Sequence, residues 1–177
     1  MLLNTHTSQL VLVDYQARLM PAIAHGARVL DNAVRLAKIA RIMDVPICGT
    51  AQNPDKLGAN DERIQALCQT SMSKIHFGAV TDGLLNVLQP APRAQIVIAG
   101  CEAHVCLLQT ALDLIEYGHS VWVVTDACGS RTTLNRDLAF QRLVTAGAHL
   151  VSIEMVAFEW LRSASDARFK EVLALVR

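Results

Sequence analysis

The sequence predicts an α/β fold in which a parallel sheet is covered by helices. Three observations carry that prediction. Short apolar, β-branched runs recur along the 177 residues, and helical patterns lie between most of them. Hydrophobic residues make up 52% of the chain and charged residues only 18%, a balance suited to strands buried on both faces. A chain of this length is expected to form one domain, 1–177, burying roughly 70% of its unfolded surface without staples.

The first strand is expected at Gln9–Val13, where an apolar run is cut off by Asp14. A helix follows over Ala27–Met43, because Val29, Ala33, Leu36, Ala37, Ala40 and Met43 fall on one stripe. The second strand is read at Val45–Gly49, with Pro46 just inside its start, and Thr50–Glu62 reads as an irregular surface loop. Ser71–Ile75 is a weaker strand signal, followed by a helical pattern at Asp82–Leu88. Strands at Gln95–Ala99, Ser120–Val124 and His149–Ile153 then alternate with helices at Val105–Tyr117 and Leu134–Ala146. Those two helices are stopped by Gly118 and Gly147. Phe158–Leu161 and Phe169–Val176 read as two short closing helices.

Charge narrows the function classes. Sixteen basic residues balance sixteen acidic ones with no Lys/Arg cluster, which points away from nucleic acid and anionic membrane and toward a small-molecule substrate. Apolar runs such as Ile96–Ala99 and Val121–Val124 fall far short of the ~20 residues of a membrane span. The opening MLLNTHTSQ has no basic segment leading into an apolar one, so a cytoplasmic location is expected. The five cysteines form no C-x-x-C pair and no zinc-like spacing, which reads as free thiols in a reducing compartment.

Three residues could carry chemistry. Asp14 projects from the carboxyl end of the first strand, the edge where open parallel sheets bind ligands, and reads equally as a turn or N-cap aspartate. Cys106 lies where a strand passes into a helix, a setting that favours a thiolate, although an isolated cysteine is more often buried and inert. Lys74 ends the weak strand. Most lysines are merely solvated, but a cation beside a carboxylate and a thiol would hold the first ionised and lower the pKa of the second.

Motif context joins the three. The run LVLVDYQ, the segment Lys74-Ile75-His76-Phe77 and the stretch IVIAGCEAHVCLLQTALDLIEYGHSVWVVTDACGSR together resemble the isochorismatase-like cysteine hydrolase superfamily over nearly the whole chain. E-A-H-V-C and DACGSR point to its isochorismatase-domain-containing subgroup. The resemblance implies a three-layer doubly wound sandwich whose six-stranded parallel sheet has the order 3-2-1-4-5-6. It also implies Asp14, Lys74 and Cys106 as catalytic residues, no cofactor and a homo-oligomer, dimer or larger. In the implied reaction Cys106 forms a thioester with an amide or ester carbonyl while Asp14 moves the proton and Lys74 steadies the charges. A non-proline cis peptide at Cys101–Glu102 is implied too, with the N–H groups of Glu102 and Cys106 forming the oxyanion hole.

Departures from the family matter as well. Nicotinamidases of the superfamily bind a metal through an Asp-x-His pair and a further His after the second strand. The region TAQNPDKLGAND has no histidine, so no such metal site is expected. The Glu102 side chain reads either as a hydrogen-bond acceptor facing substrate or as a partner of a neighbouring basic residue. Gln16, His76, Phe77, His104 and Arg131 are candidate pocket lining. Two alternatives to amide hydrolysis stay open: vinyl-ether cleavage of isochorismate, and a non-catalytic or redox-responsive oligomer.

Overall fold

Strand β1 (Ser8–Val13) runs through the middle of a six-stranded sheet in the computed structural model, which describes residues 1–88 and 93–176. Its neighbours are β2 (Ile47–Gln52) on one side and β4 (Gln95–Gly100) on the other. Beyond them lie β3 (Thr70–Lys74), β5 (Ser120–Val124) and β6 (His149–Val151), giving the order β3-β2-β1-β4-β5-β6 with every pairing parallel. Every residue of β1 and β4 is buried, as expected of central strands covered on both faces.

Helices cover both faces. Helix α1 (Gly26–Ile42) buries Val29, Ala33, Leu36, Ala37 and Ala40, the stripe read from the sequence, and packs with α7 (Ile153–Leu161) and α8 (Phe169–Val176). Helices α5 (Leu108–Glu116) and α6 (Thr133–Thr145) form the other group. Three one-turn helices sit in the connections: α2 (Pro54–Leu57), α3 (Glu62–Gln65) and α4 (Leu84–Val87).

Several boundaries differ from expectation. The last strand stops at Val151 instead of Ile153 because Ser152 caps α7, which starts at Ile153 rather than Phe158. Two further differences bear on the site. β2 starts and ends later than Val45–Gly49 and takes in Thr50, Ala51 and Gln52, so the presumed loop begins as strand and then holds α2 and α3. The expected helix from Val105 is also split. A single π-helical segment, Ala103–Leu107, precedes α5 and carries His104 and Cys106. π-Helical turns inside helices are rare and concentrate at functional sites.

Close approach of β1 and β4 fixes the geometry at the top of the sheet. Val13 pairs with both Thr50 and Gly100, and Gln52 pairs with Lys74. A β-carbon on Gly100 would stand 2.6 Å from both Cβ and the carbonyl oxygen of Val13, so only glycine fits between these strands.

Candidate active site

The carboxyl ends of β1 and β4, where the strand order reverses, deliver the first two groups. Asp14 follows β1 and Glu102 follows β4 by two residues, and both adopt left-handed backbone conformations (φ 57° and 52°). Non-glycine residues held there cost about 1–3 kcal/mol each and persist only when the surroundings enforce them. At Asp14 that enforcement is visible: its N–H donates to Thr50 O (3.2 Å), and the next strand answers with Cys101 N–H to Val13 O (2.9 Å).

The Asp14 carboxylate is fully buried and held on both oxygens. Thr50 Oγ1 donates to Oδ1 at 2.7 Å, and Lys74 Nζ stands 2.8 Å from Oδ2. Lys74, the last residue of β3, has a side chain with no solvent exposure. Its ammonium also donates to Gln52 Oε1 (2.7 Å) and Phe77 O (3.0 Å). The buried cation is thus held by two carbonyl oxygens and by its ion pair with Asp14, whose Oδ2 has no hydrogen-bond partner of its own.

Cys106 completes the set. Its thiol, 4% exposed, interacts with both Asp14 and Lys74. The sequence led us to expect a lowered thiol pKa, and the structure reverses that: burial and then the Asp14 carboxylate push it up to about 12, outweighing the lowering by Lys74. The thiol is neutral at rest. One ammonium shared with a carboxylate leaves too little positive field to ionise a desolvated sulfur.

The other expected residues separate into distinct roles. Gln16 is buried and pins Gln52: its Nε2 donates to Gln52 O (2.9 Å) and its Oε1 accepts from Gln52 N–H (2.9 Å). Phe77 is half exposed and contributes its carbonyl to Lys74, while the exposed His76 pairs through Nδ1 with Asp82 (2.6 Å). Asp82 also accepts from the N–H groups of Ile75 and His76, and His76 lowers its pKa. A cavity of about 440 Å³ opens beside this segment, lined in part by Ile75, His76, Phe77 and Gln109.

A second polar cluster adjoins Glu102. Its Oε1 accepts from Arg131 Nε at 2.8 Å, so a basic neighbour is present as the sequence allowed. His104 Nδ1 lies 3.0 Å from Ser130 Oγ, and its Nε2 lies 3.5 Å from both Glu102 Oε2 and Asn135 Nδ2. Cys101 is buried beneath, and burial, aided by charges on Asp14 and Glu102, raises its pKa well above the usual thiol range. Among the described residues no group of three or more His, Cys, Asp or Glu side chains is arranged to hold a metal ion, and no helix is long and apolar enough to cross a membrane.

Sequence reasoning missed Thr50, Ser130 and Asn135, and it read Gln52 only as the start of a candidate rim loop, Gln52–Asn60, rather than as a partner of Lys74. For Thr50 and Gln52 a signal existed: polar residues at alternate positions directly after an apolar run continue a strand's period, placing the two on one face.

A parallel α/β sheet that gathers a thiol, a carboxylate and an ammonium at its switch point belongs to the doubly wound class, whose ligand sites in general lie at the carboxyl edge. The chain belongs to the isochorismatase family: the family's isochorismatase domain matches residues 8–155. Among proteins, it is 36% identical over 172 residues to isochorismatase domain-containing protein 2A of Mus musculus, covering 97% of this chain and 83% of that one. Among solved structures, the MAR1 ribonuclease of Caenorhabditis elegans superposes with a TM-score of 0.89 at 31% identity, covering 99% of this chain and 92% of that one. YcaC from Pseudomonas aeruginosa, described with hexane-2,5-diol and covalent acrylamide, gives 0.92 at 25% identity, covering 98% and 91%. The chain thus has the hydrolase fold of the isochorismatase family.

Proposed function

We propose that this protein is a cysteine-dependent hydrolase that cleaves a carbon–nitrogen amide bond, or a related ester, in a small molecule. The observation that carries this reading is the buried Asp14–Lys74 pair with the Cys106 thiol against it. A neutral thiol beside an anchored carboxylate is a nucleophile with its general base in place.

Asp14 takes the proton from Cys106 as the sulfur bonds to the carbonyl carbon. Because the thiol is hard to ionise alone, proton transfer accompanies bond formation rather than preceding it. The N–H groups of Glu102 and Cys106 stabilise the developing oxyanion, an effect worth about 10²–10³ in rate per donor. Collapse breaks the C–N bond, and Asp14 returns the proton to the leaving amine. Water then attacks the thioester, giving up a proton to Asp14, and the acid leaves as Cys106 recovers its proton. Lys74 keeps Asp14 in place between its proton transfers and favours return of the carboxylate after each one.

Chemistry in relatives supports the reading. YcaC holds acrylamide covalently, and acrylamide is an electrophile to which thiols add. The nematode relative is described as a ribonuclease, but balanced charge with no basic cluster in this chain favours a small molecule over a polyanion. The test is Cys106→Ala and Cys106→Ser assayed over a panel of small amides and esters. Turnover is expected to vanish in Cys106→Ala. Undiminished turnover overturns the mechanism, and isochorismate consumption by Cys106→Ala would favour vinyl-ether cleavage.

A further inference from the structure

Three consecutive exposed residues, Ile75, His76 and Phe77, follow Lys74 at the end of β3. Ile75 is 68% exposed and Phe77 52%, so side-chain burial does not fix this stretch. It is nonetheless tied to the site, because the Phe77 carbonyl accepts from the Lys74 ammonium at 3.0 Å. A buried cation needs its acceptors held at bonding distance. Hydrogen bonds to the backbone supply what packing does not.

Two side chains grip the stretch. Gln52 Nε2 donates to Ile75 O at 2.6 Å, while the Oε1 of the same amide accepts from Lys74 Nζ. Asp82 takes the N–H groups: one carboxylate oxygen accepts from Ile75 (2.6 Å) and from His76 (2.9 Å), and the other pairs with His76 Nδ1 at 2.6 Å. Successive N–H groups converging on one anion form a nest, which ties the backbone conformation of both residues to the anion. Hydrogen bonds to an ionised acceptor are roughly twice as strong as neutral ones. The His76 contact holds the Asp82 carboxyl below its ordinary range, so the acceptor is ionised at neutral pH.

We infer that Asp82 is a positioning residue of the hydrolytic site: its carboxylate fixes the turn at 75–77 and thereby keeps the Phe77 carbonyl on the Lys74 ammonium. This rests on the hydrolase reading above. Asp82 acts through the backbone that follows Lys74. Without its carboxylate the two N–H groups turn to water, the turn relaxes, and the ammonium loses one of the oxygens that hold it beside Asp14 and Cys106. Its field at the sulfur then weakens. Because Lys74 lowers the thiol pKa, a weaker field leaves Cys106 protonated to higher pH.

The experiment follows iodoacetamide labelling of Cys106 against pH in the full chain, mapped by peptide mass spectrometry. Asp82→Ala is expected to move the profile up by about half to one pH unit, part of the ~1–3 units that a neighbouring opposite charge contributes. Labelling at pH ~9 then falls about three- to tenfold. Asp82→Asn, whose amide oxygen can still meet the two N–H groups, is expected to recover much of that loss. The deciding comparison adds Asp82→Ala to Lys74→Met. A residue that acts through Lys74 shifts the profile no further in that background, whereas one that merely stabilises the fold shifts both backgrounds alike. A profile unchanged in Asp82→Ala, or shifted equally with and without Lys74, overturns this inference and leaves the hydrolase reading standing. Turnover retained by Cys106→Ala overturns the hydrolase reading, and with it Asp82's place in a hydrolytic site, whatever the profiles show.

Discussion

Lys74 Nζ and Asp14 Oδ2 stand 2.8 Å apart, and neither side chain touches solvent. The two residues close adjacent parts of the sheet, one at the end of β3 and one just past β1, with β2 between them. Thr50 and Gln52, on that intervening strand, hold one partner each.

Breaking this pair from one side is expected to be severe. Lys74→Met leaves the Asp14 carboxylate buried without its counter-charge and should lower unfolding free energy by about 3–5 kcal/mol. Adding Asp14→Asn to that variant removes the stranded charge and should restore part of the loss. Urea unfolding of the two single variants and the double variant measures the coupling. Equal losses for the double variant and the sum of the singles would show that the ion pair contributes nothing of its own.

The raised Cys106 pKa makes opposite predictions for its two neighbours. In the wild type, iodoacetamide labelling of Cys106 should keep rising by about tenfold per pH unit beyond pH ~8.5, where a free thiol levels off. Asp14 raises the thiol pKa and Lys74 lowers it. Asp14→Asn should therefore move the profile to lower pH and raise labelling near neutrality, even as it abolishes turnover. Lys74→Met should move it to higher pH. A wild-type plateau near pH ~8.5 would contradict the buried, neutral thiol.

Stability should fall in alkali. Burial pushes Cys128 and Cys106 up to about 12 from an unperturbed 9.0, and raises Cys101 and Tyr15 well above their ordinary values too. Above pH ~9 the unfolded chain releases thiol protons that the folded chain retains, so the stabilisation is complete below that pH and is lost as pH rises toward about 12. Melting temperature followed from neutral pH upward should drop past pH ~9, and the slope should be shallower in Cys128→Ala. An alkaline profile identical in that variant would rule out its thiol as a contributor.

Filling the β1–β4 contact should damage fold and site together. The β-carbon of Gly100→Ala would meet Val13 at 2.6 Å, and overpacking of this kind costs about 1–3 kcal/mol or more. Thermal melts check the loss. Because Asp14 is anchored through this strand pair, Cys106 labelling should change in parallel.

Much of the fold was legible because burial on both faces writes itself into sequence as unbroken apolar runs. β1, β4 and β5 were read to within a residue on that basis. β2 was not. Its final three residues are Thr50, Ala51 and Gln52, and the polar two are buried because Asp14 and Lys74 need them. A strand that serves the site is thus least recognisable where it does so. Asp14, Lys74 and Cys106 were singled out by their order and motif context and lie together in the structure, while their electrostatics depend on distances across strands that spacing does not encode. The raised thiol pKa is the clearest example: helix position and a nearby lysine suggested a thiolate, and desolvation with a 2.8 Å Asp14–Lys74 pair outweighed them.

The position of β3 sets how durable the site can be. An edge strand is paired along one side only, and its ends are the first part of a sheet to open in local fluctuations. Lys74 is the last residue of that strand, so fraying by a single residue withdraws its ammonium from the Asp14 carboxylate while β1 and β4 remain intact. The protein can thus lose function well before it loses its core. Its working lifetime under heat or denaturant is then expected to follow the detachment of one strand end, a far smaller event than unfolding.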